Sequence, residues 1–389
     1  MRILYLANLR LPTEKAYGIQ IAKMCEAFAN IGHEVKLLYP YRKNTGIKQD
    51  LFSYYSVRNN FSARRIESKD FYLPGFLDKI TFVVKNYFSA RILVSEALKE
   101  NADIYYTRDE RIAYILNKKD KNVVFECHRF SSKKKGLYLY FKKIVAISNG
   151  LKEDLVKSGV KDGNILVARD GVDLDNFNIA INQVEARKKL YSEFHWEAFA
   201  RKKIAVYVGH LYLWKGVGVF SETAERLSGI NPNYLLFVFG GTNKKDSNIL
   251  KEELKNIENK LHPNLVPIFY GNFPHQAVPH ILKAADCAIL TGNESEVISA
   301  KYTSPLKMFE YMASGCPIVA QDLPSFREVL NNENSFLVTP GNAKELADKI
   351  SYIFENEEEA KNKAAKALDD VQNYTWRKRA EKIISYLQN

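Results

Sequence analysis

Residues 304–320 read Ser-Pro-Leu-Lys-Met-Phe-Glu-Tyr-Met-Ala-Ser-Gly-Cys-Pro-Ile-Val-Ala, which sets a lysine and a carboxylate three residues apart near the start of an expected helix. Ser304 is a suitable helix cap and Pro305 fits a first helical position. Gly315 suits the helix end, and Pro317 to Ala320 reads as the strand that follows. Lys307 falls in the first turn, where a cation meets the positive end of the helix dipole. Its presence is favoured when an anion occupies the helix start, held by the free N–H groups of Leu306 and its neighbours. Glu310 lies on the same side of the helix. An ammonium and amides beside a carboxylate suit a nucleoside diphosphate, the carboxylate reaching the ribose hydroxyls. The competing reading is a solvated Lys307–Glu310 pair on an ordinary helix.

Other candidates follow expected strands. Gly209-His210-Leu211-Tyr212-Leu213-Trp214-Lys215-Gly216 succeeds a strand ending at Val208. Gly209 permits close backbone approach, and Lys215 can reach a phosphate as a point charge. The stretch is neither a Walker loop nor GxGxxG, which speaks against a P-loop ATPase or a dinucleotide oxidoreductase. Gly240-Gly241-Thr242 and Gly271-Asn272-Phe273 are further strand-end turns that admit a nucleotide, Phe273 near the base. In the first half, Gly18 opens a helix after Pro12-Thr13-Glu14-Lys15-Ala16-Tyr17, and His128 and Arg108 each follow a strand. Asp170-Gly171-Val172-Asp173 reads as a turn, with Asp173 a helix cap or a cleft residue. No HExxH or GxSxG element occurs, and the aspartates are read as showing no DxD cluster of the kind that holds a metal.

The elements that must hold these residues alternate. Ile3 to Ala7, Glu34 to Tyr39, Ile104 to Thr107, Val123 to Glu126 and Ile144 to Ile147 read as buried strands, with a helix from Gly18 to Asn30. The rhythm restarts at Ile204 to Val208, with a helix from Val217 to Leu227. Strands at Leu235 to Phe239, Val266 to Tyr270, Cys287 to Leu290 and Pro317 to Ala320 follow. Strands alternating with helices imply parallel sheets covered on both faces. Ligands of such sheets bind beyond the carboxyl ends of the strands. Residues 178–200 break the pattern and read as a linker. The division is thus 1–178 and 200–370, and the tail from about 374–389 carries Trp376, Ala380, Ile383, Ile384 and Leu387 at helical spacing.

A chain of 389 residues exceeds one compact core, so two domains are expected. No apolar run approaches the roughly 20 residues that span a bilayer. The opening Met1-Arg2-Ile3-Leu4-Tyr5-Leu6-Ala7 lacks the pattern of a signal peptide and reads as a strand. Cys25, Cys127, Cys287 and Cys316 are far apart, which suggests neither zinc nor disulfides and a reducing cytoplasm. The net charge is +12, and residues 1–178 hold 31 Lys and Arg against 20 Asp and Glu. A basic half points to an anionic partner. Lys133-Lys134-Lys135 with Leu137, Tyr138, Tyr140 and Phe141, and the stretch Phe71 to Arg91, mix basic and aromatic residues as an anionic membrane surface requires. No nucleic-acid motif accompanies them.

Taken together these stretches resemble the retaining glycosyltransferases of family 4, among the glycosyl transferases group 1, which have the GT-B fold. The resemblance is carried by Ala146-Ile147-Ser148-Asn149-Gly150-Leu151-Lys152, Asp170 to Asp173, Gly209 to Gly216, Ala284-Ala285-Asp286 and Ser304 to Pro317. It implies an α/β protein of two Rossmann-like parallel-sheet domains facing a central cleft, with the C-terminal helix crossing back to the first. The donor nucleotide would sit on the second domain, against Gly209, His210, Lys215, Gly240, Gly241, Asn272, Phe273, Ser304, Pro305, Leu306 and Lys307, with Glu310 on the ribose. Lys215, His128 and Glu310 would carry the chemistry, His128 lining the donor-sugar side, with Gly18 and Arg108 on the acceptor side. The implied reaction is hexosyl transfer from a nucleotide sugar, UDP- ahead of GDP-, to a glycan or lipid-linked hydroxyl. It retains configuration, needs neither metal nor cofactor, and serves surface polysaccharide or glycolipid synthesis at the inner face of the cell membrane. Two departures stand out: His210 replaces the family's arginine, with Lys307 and Lys301 as compensating cations. Tyr302 replaces a glutamate, with Glu294 or Glu296 as substitutes. A sugar-nucleotide epimerase or a non-catalytic binding protein of the same fold is the alternative.

Overall fold

The structure is a computed structural model that describes residues 1–43, 46–70, 77–194, 201–241, 265–268 and 275–388. It divides into two compact units, Met1–Asp170 with Trp376–Asn389, and Gly171–Thr375. The first contains a seven-stranded sheet in the order β3-β2-β1-β4-β5-β6-β7. Its strands are β1 (Arg2–Leu6), β2 (Glu34–Pro40), β3 (Ser62–Ile66), β4 (Ile104–Thr107), β5 (Val123–Cys127), β6 (Lys143–Ala146) and β7 (Ile165–Val167). The second contains six, in the order β10-β9-β8-β11-β12-β13. These are β8 (Lys203–Val208), β9 (Tyr234–Phe239), β10 (Leu265–Ile268), β11 (Cys287–Leu290), β12 (Ile318–Gln321) and β13 (Phe336–Val338).

Every strand pair is parallel; Ile3 of β1 faces Val35 on one side and Ile104 on the other. Parallel strands need helical crossovers, and those helices cover both faces. The second unit shows the consequence residue by residue. Ile204, Val206 and Val208 enter one apolar core with Leu235, Phe237 and Phe239, while Ala205 and Tyr207 enter the opposite core with Tyr234, Leu236 and Val238. The period-2 alternation of a strand therefore divides apolar residues between two buried faces, which is why these strands read as unbroken apolar runs.

Strand β1 is the reversal point of the first sheet, between β2 and β4, and β8 that of the second, between β9 and β11: the strand order runs outward one way and then resumes on the other side. In open α/β sheets the crevice beside such a reversal receives the ligand. It lies between the carboxyl ends of β1 and β4 in one unit and of β8 and β11 in the other.

Several expectations shift. Strands β3, β7 and β13 were not foreseen, because they are outer or short strands: β3 reads Ser-Ala-Arg-Arg-Ile and largely faces solvent. The stretch read as a linker contains the helix Gln183–Phe194, whose Ala186 and Leu190 are buried in the second unit's core. Its Arg187 binds Asp286 Oδ2 at 2.5 Å and the Ala284 carbonyl at 2.9 Å. The units accordingly divide at Asp170, not at 178. Residues 195–200 and the expected strand end at Tyr270 lie outside the described residues. The last helix, Trp376–Gln388, packs Ala380 and Ile383 in the first unit against the helix Ala16–Asn30.

Gly18 does not open that helix but lies within its first turn, buried. A Cβ there would sit 2.0 Å from Tyr55 Oη, which itself takes the Thr13 N–H at 2.7 Å. Gly18→Ala is expected to destabilise the protein by about 1–3 kcal/mol, the usual cost of overpacking, in a urea titration. The same substitution at Gly163, where a Cβ meets nothing within 4 Å, leaves the midpoint nearly unchanged.

Candidate functional site

The carboxyl edge of the second sheet is built from close backbone contacts. Gly209 follows β8 with φ of 144°, and its N–H donates to Phe239 O at 2.9 Å. A Cβ on Gly240 would lie 2.0 Å from Gly209 O, and Leu211 N donates to Gly241 O at 2.9 Å. The turns after β8 and β9 are thereby laced together. Gly216, at φ 69°, closes the short turn Leu213–Lys215; a Cβ there would lie 2.0 Å from Gly292 O. Glycine is required on both counts, the left-handed backbone and the absence of space. The loops after β8 and β11 thus meet at the sheet's reversal point, with Lys215 beside the contact.

Two lysines and two amphoteric groups converge there. Lys215 is half-buried, its ammonium 5.2 Å from the Tyr212 ring centre and 5.4 Å from that of Trp214. Burial pushes its pKa down to about 8. Tyr212 stacks between His210 and Trp214, at 5.4 and 6.2 Å. Lys307 is buried, its Nζ 4.1 Å from the Tyr207 ring centre and without a hydrogen-bond partner among the described residues. Desolvation, reinforced by the charge of Lys215, holds its pKa well below the usual lysine value, against a smaller opposing pull from Glu310. Gln321, at the end of β12, accepts Gly292 N–H at 2.8 Å, while its Nε2 and the Thr291 hydroxyl are buried without partners among the described residues. Buried polar groups are normally satisfied, so this concentration of unused donors beside two ammonium groups is a site shaped for an anion.

The helix Leu306–Ser314 begins one residue later than expected. Pro305 is the extended cap residue, at ψ 126°, and no side chain caps the helix; Ser304 is buried one position earlier. Gly315 ends the helix in the left-handed conformation, as its sequence position requires. The first-turn N–H groups of a helix largely lack intrahelical partners, and the cap residue Pro305 has no side-chain acceptor to offer them. The solvated Lys307–Glu310 pair does not form: Glu310 Oε1 instead lies 2.7 Å from His275 Nε2. Tyr302 is buried, while Lys301, Glu294 and Glu296 are exposed. Asn272 and Phe273 lie outside the described residues. His275, Thr291 and Gln321 were missed, since nothing in sequence spacing ties them to residues tens of positions away.

In the first unit, His128 and Arg108 reach one buried polar cluster at the carboxyl end of β5. His128 Nε2 lies 2.5 Å from Glu126 Oε1, and Arg108 donates to Gln20 Oε1 at 2.8 Å. Gln20 in turn donates to Glu126 Oε1 at 2.6 Å, and Tyr106 donates to Oε2. Arg379, from the last helix, stands 3.4 Å from Glu126 and 3.7 Å from Asp170. Burial raises the Asp170 carboxyl to about 6 despite Arg379. Gly18 takes no part in the cluster. Asp173 precedes the short helix Leu174–Phe177 without capping it through its side chain, and its Oδ2 accepts from Asn176 at 3.1 Å. Asp173 and Asp175 have DxD spacing, but Asp175 is exposed, and no group of three or more His, Cys, Asp or Glu able to hold a metal occurs among the described residues. The four cysteines are buried and free.

A buried ammonium without a partner destabilises the fold in the absence of its anion. The folded pKa of Lys307 lies below the unfolded value of about 10.4, so the unfolded state binds more protons and stability rises with pH through that interval. Lys307→Met is expected to raise stability at pH 7 by about 1–2 kcal/mol, seen as a higher thermal midpoint, and to flatten the rise between pH 7 and 9. Calorimetry at a series of pH values reads both.

Residues 188–369 match the family model of glycosyl transferases group 1. An uncharacterized glycosyltransferase of Methanocaldococcus jannaschii is 24% identical over 246 residues, 62% of this chain; the match spans 57% of that relative's length. Among solved structures, HepE of Anabaena in complex with UDP and glucose superposes with a TM-score of 0.74 at 17% identity, covering 100% of this chain and 99% of that one. A glycosyltransferase from Rickettsia africae gives 0.72 at 19%, covering 100% and 97%. Sucrose-phosphate synthase of Thermosynechococcus elongatus gives 0.74 at 16%, covering 99% and 98%. The chain thus has the GT-B fold of these glycosyltransferases, and it carries the group 1 glycosyl transferase signature across its second unit.

Proposed function

We propose that the protein is a retaining glycosyltransferase of the family 4 type that moves a hexosyl group from a nucleotide sugar, UDP- ahead of GDP-, to a hydroxyl of a glycan or lipid-linked acceptor. The observation that carries this reading is the pair Lys215 and Lys307, two cations held without carboxylate partners among the described residues at the reversal point of the second sheet. A diphosphate supplies the charge both lack. The complex of HepE with UDP and glucose, on the same fold, favours a uridine donor.

In this reading Lys215, Lys307 and the first-turn amides at Leu306 stabilise the diphosphate as it leaves, electrostatic assistance to charge that develops in the transition state. Thr291 and Gln321 add neutral donors. Glu310, oriented by His275, takes the ribose hydroxyls. The bond from the anomeric carbon to the diphosphate breaks and a bond to the acceptor oxygen forms on the same face. The acceptor proton passes to a phosphate oxygen, and no protein nucleophile or metal takes part. His128 and Arg108 are the first unit's candidates for contacts to the substrate sugars. Lys307 takes the place of the cation lost at His210; Lys301 is exposed. The alternative, an epimerase or a binding protein of the same fold, releases no transferred sugar and needs no acceptor.

Isothermal titration with UDP and GDP tests the donor site. Lys215→Ala and Glu310→Ala are each expected to weaken UDP binding by about 10- to 100-fold, the loss of a charge-assisted hydrogen bond. Unchanged affinity in both removes the site assignment. Turnover is expected to be insensitive to a chelator, and product analysis with and without acceptor separates transfer from epimerisation.

A membrane-borne acceptor is supported by the helix Leu77–Ala97. Its buried Thr81, Lys85 and Ser89 are polar, while Ile80, Phe82, Val83 and Phe88 are 56–59% exposed. Lys85 pairs with Asp70 at 3.1 Å and Ser89 donates to Asn8 at 2.7 Å, so in the first half of the helix polar groups are used inward and apolar ones are left outside, whereas Ala90, Leu93, Val94 and Ala97 of the second half are buried. Tyr87, also exposed, has the guanidinium groups of Arg91 and Arg111 at 5.5 and 5.2 Å. Apolar and aromatic side chains beside arginines suit the inner, anionic face of a membrane. No helix among the described residues is long and apolar enough to cross one. Sedimentation is expected with phosphatidylserine vesicles and not with neutral ones, and to fall in Phe82→Ser/Phe88→Ser; equal sedimentation with both vesicle types contradicts it.

A further inference from the structure

Glu126 is fully buried in β5, yet its direct contacts are donors, with the Asp170 carboxylate sharing Arg379. Gln20 and Tyr106 donate to it, Arg379 stands 3.4–3.5 Å from both its oxygens, and His128 Nε2 lies 2.5 Å from Oε1. Burial opposes its charge, but Arg379 and His128 outweigh burial and hold it well below the ordinary glutamate range. The orientation of Gln20 is settled from both ends, since its oxygen takes the Arg108 N–H and its nitrogen donates to Glu126. Arg379 is in turn fixed by the main chain, donating through Nε to Arg169 O at 2.9 Å.

An ionised carboxylate only accepts hydrogen bonds, so the nitrogen of His128 that touches it must carry the proton. The charged groups that face the imidazole are Glu126, Arg108 and Arg379. Burial, with Arg108 next in weight, pushes its pKa down to about 4 against the pull of Glu126, which leaves the ring neutral near pH 7. Its Nδ1 makes no hydrogen bond among the described residues, and its side chain remains 21% exposed at the carboxyl edge of the sheet.

We propose that Glu126 and Arg379 are positioning residues for His128: Glu126 holds the ring as the Nε2–H tautomer and Arg379 supplies the counter-charge that keeps Glu126 ionised. His128 therefore presents an Nδ1 lone pair, a hydrogen-bond acceptor for a sugar hydroxyl and not a cation. The use of that acceptor toward a sugar rests on the transferase reading above; the tautomer does not. The tail helix thereby acts on the site through Arg379, more than two hundred residues from Glu126 in sequence.

Nitrogen-15 spectra of histidine-labelled protein test this directly. His128→Ala identifies the resonances of His128 among the seven histidines. The wild type is expected to show a protonated Nε2 and an unprotonated Nδ1, with no titration between pH 5.5 and 8. In Glu126→Gln the two signals move toward the averaged positions of a mixed tautomer. In Arg379→Met His128 begins to titrate within that window, while Arg379→Lys keeps the wild-type spectrum. A protonated Nδ1 in the wild type, titration near pH 6.5 there, or an unchanged spectrum in a folded Glu126→Gln overturns the proposal. Because the wild-type spectrum alone decides the tautomer, failure of a variant to fold does not shelter it. Loss of transferase activity with the expected tautomer present would instead refute the functional reading.

Discussion

Both sheets are wholly parallel, and that constraint governs the rest. Parallel strands cannot be joined by hairpins, so each must be followed by a crossover that covers a face of the sheet. With both faces apolar and covered, polar chemistry has no place along the strands and is displaced to their ends. All carboxyl ends of a parallel sheet leave at one edge. The turns after β8, β9, β11 and β12 are brought together for that reason; Gly216 and Gly240 are glycine because backbone there meets backbone, and Gly209 because its φ is positive.

At that edge the second unit holds an electrostatic arrangement that is unfavourable in itself. Lys307 is buried against an aromatic ring, Lys215 lies near enough to depress its pKa further, and Glu310, the nearest compensating carboxylate, is engaged by His275. Such strain in a folded state is tolerated where a ligand relieves it, since a site matched to an anion must lack one beforehand. Thr291 and Gln321 extend the argument to neutral donors.

The first unit treats charge in the opposite way. Its buried carboxylate is surrounded by guanidinium, amide, phenol and imidazole, each supplying what the next requires. Buried ionic groups stabilise little compared with an apolar substitute, but losing one partner is costly, so such clusters specify geometry more than they add stability. Arg379 ties the last helix into this cluster, and the packing of Ala380 and Ile383 holds that helix in place. The first half of the helix Leu77–Ala97 belongs to the same economy of polar groups: Lys85, Ser89 and Asn86 serve the interior, while Ile80, Phe82, Val83 and Phe88 are left outside.

What sequence alone determined was local and periodic. Apolar runs located ten of the thirteen strands because a strand buried on both faces has few polar positions, Glu126 in β5 being one, while β3, β7 and β13 escaped because outer or very short strands lack that signal. Gly315 and Lys215-Gly216 were legible, since a left-handed residue and a cation at a strand end announce themselves within a few positions. The helix start was misplaced by one residue because Pro305 is compatible with both the cap and the first turn. The stretch taken for a linker proved helical; among its described side chains only Ala186 and Leu190 are buried, too few to register as a period. Tertiary structure alone decided which residues meet: Gln321 with Gly292, His275 with Glu310, and Arg379 with Glu126. The physical reason is that periodicity reports which face of an element is buried, whereas the pairing of buried polar groups depends on which distant elements share that burial.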